Sequence, residues 1–137
     1  MSARSKARRR AVEVLYEMDL RQQTAQQALE SLASRMQAEV NEYTEQIVRG
    51  TAAHAEQIDE TVSTYAQGWT LDRMPAVDRA ILRVGTWEIL WGDVPDAVAL
   101  AEAVQLANDL STDESGRYIN GVLARVQSVK PRITLGE

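Results

Sequence analysis

At 137 residues and 45% hydrophobic, the chain is long enough for one domain that buries roughly two thirds of its unfolded surface without a covalent staple. It contains no cysteine, which excludes disulfides and zinc–thiolate sites and agrees with a reducing, cytoplasmic setting. The net charge of −5 hides an asymmetry: Arg4, Lys6, Arg8, Arg9 and Arg10 supply five of the 15 basic residues before any acid occurs, leaving 10 basic against 20 acidic residues in the remainder. A basic arm ahead of an acidic body suits either contact with nucleic acid or a solubility tail.

Residues 1–6 read as disordered. A first helix is expected from Lys6 or Ala7, with Ala7, Ala11, Val14, Leu15 and Met18 on one face and Val12 and Tyr16 beside it. Glu13, Glu17 and Asp19 interrupt its apolar residues, so it is neither a signal h-region nor a membrane span. Arg8, Arg9 and Arg10 point in three directions around the helix start, which suits an irregular RNA strand wrapping the arm. Thr24 and Gln27 have the spacing of a capping box, opening a second helix with Ala28, Leu29, Leu32 and Met36 in register. Asn41 reads as the N-cap of a long third helix reaching Gln67, with Gly50 as its weak point. His54, the only histidine, lacks a second ligand or nearby nucleophile and reads as a packed or surface-edge residue.

Gly68 ends that helix, and Trp69, Leu71 and Met74 form a short helical linker that plugs the junction between two halves, 1–67 and 68–137, of a single domain. The central helix starts at Pro75 and stops at Gly92-Asp93 before Pro95. Its apolar arc covers more than half the circumference, as expected of a helix enclosed by others. Two carboxylates break that arc. Glu88 is expected to be buried and paired with a backbone N–H or an arginine, because an unpaired buried charge is costly. Asp78 is expected to point into a seam for another protein; the competing reading places it in the first turn, where the helix dipole favours it. Asp96 opens a sixth helix with Leu100, Ala103, Val104, Ala107 and Leu110 inside. The loop from Ser111 to Ser115 leads to a seventh, which buries Ile119, Val122, Leu123 and Val126, with Tyr118 at the border. Residues 130–137 read as a tail. With no phosphate loop, metal cluster or nucleophile–histidine set, the sequence argues against an enzyme and calls for no cofactor or metal.

Taken together, the segments resemble the NusB family of transcription antitermination factors. The resemblance rests on the arginine-rich start leading into Ala11-Val-Glu-Val-Leu-Tyr16, on Ile47-Val-Arg-Gly50, and on the run from Asp78 to Ile89. Asp93-Val-Pro95, Glu102-Ala-Val with Leu106-Ala107, and Tyr118-Ile-Asn-Gly-Val-Leu123 complete it. The order and spacing of these pieces, from about Arg4 to Val126, make the match specific. It departs from many members at Ala101, where they have Asn, at Asn108, where they have Lys, and at Glu114 and Tyr118, where some have Asp and Phe.

The resemblance implies an all-α, seven-helix fold of two packed bundles. It also implies binding of the boxA element of nascent RNA jointly with NusE, a protein of the small ribosomal subunit, in an antitermination complex on RNA polymerase. Carried over by position, RNA binding falls on Arg4, Lys6, Arg8, Arg9 and Arg10 with Glu114 and Tyr118, and the NusE-facing surface includes Asp78. An alternative of another class is a helical protein–protein adaptor or homodimer with weak or masked RNA binding. A similar helical domain precedes the catalytic domain of some RNA cytosine methyltransferases, for which this chain has no room.

Overall fold

The computed structural model describes residues 2–136 and contains seven α-helices and no strand among them. In chain order these are α1 (Ala3–Arg21), α2 (Ala25–Met36), α3 (Glu42–Ala53), α4 (Ala55–Tyr65), α5 (Ala76–Trp91), α6 (Asp96–Leu110) and α7 (Asp113–Val129). Two 3-10 turns, Leu71–Arg73 and Lys130–Arg132, complete the described elements.

Local chemistry fixes most boundaries. The Thr24 hydroxyl accepts from the Gln27 N–H while the Gln27 side chain accepts from the Thr24 N–H, closing the expected capping box. The Asn41 side chain caps α3 through the N–H groups of Tyr43 and Thr44. α1 starts earlier than its apolar pattern indicated, at Ala3, because Ser2 acts as N-cap and accepts from the Ser5 N–H. Met1 lies outside the described residues. The long third helix expected over 41–67 is two helices, parted at His54 by a single residue at φ −112°, ψ 20°. Gly50, expected to be the weak point, stays inside α3, where the Trp87 indole lies so close that a Cβ would collide with it. The count of seven therefore arises from this break, and the linker at 71–73 is a 3-10 turn.

α5 lies at the centre and packs against α1, α3, α4, α6 and α7. Ile81, Leu82 and Ile89 are fully buried, as are Ile47, Ile58, Ile119 and Leu123 of the surrounding helices. The two arginines of α5 are paired rather than solvated. Arg79 contacts Asp19 at 2.7 Å, and Arg83 forms a two-pronged pair with Asp59 at 2.8 and 3.0 Å.

Beneath the start of α1 lies the one fully buried ion pair among the described residues. Arg8 is 2% exposed and donates from Nε and a terminal nitrogen to the two carboxylate oxygens of Glu88, which is 0% exposed. The Tyr43 hydroxyl also donates to Glu88, and Glu102 lies 3.4 Å from the guanidinium while accepting from the Ser5 hydroxyl at 2.6 Å. Glu88 is thus buried and paired, with an arginine as its partner. Burial works to lower the Arg8 pKa, but the hydrogen bond and charge of Glu88 outweigh it and the pKa is raised. For Tyr43, burial and the bond to Glu88 raise the phenol from an ordinary 10.0 to about 12.

Residues 130–136 are not a loose tail. Ile133 packs on the core, Gln57 donates to the Thr134 carbonyl, and the Trp91 indole donates to the Gly136 carbonyl at 3.0 Å. Glu137 lies outside the described residues.

Three outcomes are expected of this core. Glu88→Ala strands the Arg8 guanidinium and lowers unfolding stability by about 3–5 kcal/mol in urea titration, since one partner of a buried pair is left uncompensated. Because the folded-state pKa of Tyr43 lies above its unfolded value, its contribution is fully present below pH 10.0 and declines as pH rises toward about 12; Tyr43→Phe removes that part of the decline. Gly50→Ala, by driving a methyl into Trp87, costs about 1–3 kcal/mol in the same titration.

Candidate nucleic-acid and protein interface

The basic arm forms roughly the first two turns of α1, and its five cations have different surroundings. Arg4 and Lys6 are exposed. Arg4 lies over the Tyr43 ring at 4.4 Å from its centroid and 3.3 Å from Asp93. Arg9 and Arg10 share one counter-ion, Glu13, at 3.7 and 3.5 Å, and each retains more than a third of its side-chain surface. Arg8 requires a correction. Its guanidinium is enclosed by Glu88, Glu102 and Tyr43 and offers no free donor surface to a phosphate. The reason is helical phase: Arg8 precedes Ala11, Val12 and Leu15 by three, four and seven residues, which places it on the buried face. The arm therefore presents four cations outward and uses the fifth as an anchor.

Asp78 also requires correction. It is 0% exposed, in the first turn of α5, and its Oδ2 accepts from the Ser115 hydroxyl at 2.8 Å. Ile81, Leu82 and Gly85, three, four and seven residues on, are all buried, so this side chain turns into the protein. It holds the start of α7, where Thr112 caps the helix by accepting from the Ser115 N–H and Ser111, Thr112 and Ser115 join hydroxyls at 3.0 Å. Its other oxygen has no protein partner among the described residues.

Glu114 and Tyr118 lie together on the wall of a cavity of about 540 Å³ that also takes in Gly68, Trp69 and Pro75. Glu114 is exposed and Tyr118 half-buried. Burial raises the Tyr118 pKa, with Arg125 acting in the opposite sense. None of the arm residues lines this cavity: the arm packs beside Glu88 and Asp93 at the end of α5, whereas the start of α7 packs on Asp78 at its beginning, so the two form separate surfaces. His54 is stacked on Trp91, ring centroids 4.0 Å apart, and serves as a packing residue.

A third surface was not singled out from the sequence. Val12, Tyr16, Ala76, Val77 and Leu110 line an apolar groove of about 590 Å³ where α1, α5 and α6 converge, with Glu13 and Glu17 at its edge. Tyr16 is 38% exposed and Leu20, one turn on, 57%. The signal was a second apolar stripe on α1, Val12–Tyr16–Leu20 at i, i+4 spacing, which only tertiary contact with Val77 and Leu110 turns into a groove. No helix among the described residues is long and apolar enough to cross a membrane.

Residues 5–128 match the NusB family. The transcription antitermination protein NusB of Arthrobacter sp. (strain FB24) is 54% identical over 97% of this chain and 98% of its own length. Among solved structures, NusB of T. maritima superposes with a TM-score of 0.81 at 28% identity, covering 93% of this chain and 92% of that one. A chain in the crystal structure of the antitermination factors NusB and NusE in complex with double-stranded RNA superposes with a TM-score of 0.82 at 25% identity, over 92% of this chain and 96% of that one. With seven α-helices among the described residues, a family match over residues 5–128 and 54% identity to a relative over nearly the whole chain, the chain belongs to the NusB family of transcription antitermination proteins.

Proposed function

We propose that this chain binds the boxA element of nascent RNA jointly with NusE, in the cytoplasm, and joins an antitermination complex on RNA polymerase without a catalytic step of its own. The observation that carries this reading is the rigid cationic start of α1: Arg4, Lys6, Arg9 and Arg10 face outward from a helical turn whose position is locked by the buried Arg8–Glu88 pair. Phosphate can displace the weak, exposed contacts to Asp93 and Glu13 at little cost, since surface ion pairs contribute about 1 kcal/mol at most. Glu114 and Tyr118 supply a second RNA contact on a separate surface. The chain acts as one domain whose halves, 1–67 and 68–137, each contribute one of these surfaces.

NusE docks on the groove lined by Tyr16, Val77 and Leu110, which replaces Asp78 as the partner-facing position. The groove is apolar at its centre with carboxylates at its rim, complementary to a ribosomal protein that carries basic charge for rRNA. A homodimer or adaptor using the same groove is the competing occupant.

Two measurements test this reading. With NusE present, log K for single-stranded boxA RNA falls with log salt at a slope of roughly −3 if four phosphates are neutralised at about 0.7 each, and Arg9→Ala with Arg10→Ala flattens it by about 1 to 1.5. An unchanged slope in fluorescence anisotropy would make the arm a solubility tail. In calorimetric titration, Tyr16→Ala and Val77→Asp each weaken NusE binding by at least about tenfold with normal circular dichroism. Retained NusE affinity combined with loss of a self-associated species would assign the groove to a second copy of the chain.

A further inference from the structure

The cavity between the linker and the start of α7 has a chemistry that the arm lacks. Trp69 and Tyr118 stand edge to face on its wall, ring centroids 5.2 Å apart at 79°. Beside them Gly68, at φ 79°, has no atom within 4 Å of where a Cβ would stand, so the approach to the rings is open. The hydroxyls of Ser111, Thr112 and Ser115 are tied to one another and, through Ser115, to the buried Asp78. α7 opens on Asp113 and Glu114, and these carboxylates oppose a phosphate at this helix start. An aromatic wall with hydroxyls and carboxylates at the rim therefore favours the heterocycle of a nucleotide over its phosphate, because every base offers a face for stacking whatever its backbone charge.

We propose that this cavity takes one unstacked base of the bound RNA, with Trp69 as its stacking wall beside Tyr118. This rests on the RNA-binding reading above and adds Trp69, expected only to plug the junction between halves, as a base-contacting residue. Gly68 keeps the entrance clear, and Asp78 acts at one remove by holding Ser115.

The test is affinity for short single-stranded boxA RNAs, each made abasic at one position, measured with NusE present for the wild-type chain, Trp69→Leu and Trp69→Phe. In the wild type, one abasic position is expected to lower affinity by about tenfold. Trp69→Leu should lose a similar factor on intact RNA and show no further loss at that position, the signature of a coupled pair, while Trp69→Phe keeps both values within about threefold and none alters the salt slope. The proposal is overturned if Trp69→Leu, folded by circular dichroism, binds intact RNA like the wild type. It is equally overturned if that variant loses the same factor on every abasic RNA. If the wild-type chain binds none of these RNAs with NusE present, the RNA-binding reading itself fails, a result distinct from an effect confined to Trp69.

Discussion

The buried pair between Arg8 and Glu88 sets the arrangement on which the rest depends. An arginine in a basic run has no reason to be inside unless an acid is fixed opposite it, and Glu88 is fixed by the most enclosed helix of the fold. Desolvating both charges is expensive, so the pair contributes less net stability than its short contacts suggest; removing one partner alone costs far more. What it determines is placement. Tyr43 of α3 and Glu102 of α6 converge on the same two side chains, so four helices agree on where the first turns of α1 must lie. The neighbouring cations then point outward by helical phase alone.

α5 accounts for the separation of surfaces. Its Glu88 anchors the arm, its Asp78 anchors the start of α7 through Ser115, and its Val77 forms one side of the apolar groove. One helix thus positions a cationic surface, an aromatic cavity and a hydrophobic groove that do not share residues of the arm. The acidic remainder of the chain acts as a counterweight. Glu13 and Asp93 hold Arg9, Arg10 and Arg4 loosely, through partly exposed contacts that salt can screen.

Much of the fold was legible in the sequence because it rests on local chemistry. The Thr24–Gln27 capping box, the Asn41 cap, the core helix between Pro75 and Gly92, and the buried, paired Glu88 follow from spacing alone. The site is less legible: by resemblance Arg8 belongs to the RNA-binding arm and Asp78 to a partner surface, but both are buried and paired within the chain. Arg8 and Asp78 both lie three, four and seven residues from buried positions, and that phase decided their orientation. The break at His54 carries no proline or glycine signal, and the folding back of residues 133–136 depends on Gln57 and Trp91, distant in sequence. The groove needed α1, α5 and α6 to be brought together before Tyr16 could be seen as part of it.

The central claim, that this chain acts on RNA as one half of a pair, is tested most directly by native mass spectrometry of the chain alone, with boxA RNA, and with NusE and RNA together. The account predicts a complex of one chain, one NusE and one RNA that persists at salt concentrations where the chain and RNA alone separate. A self-associated species that never takes up RNA, with or without NusE, would contradict it.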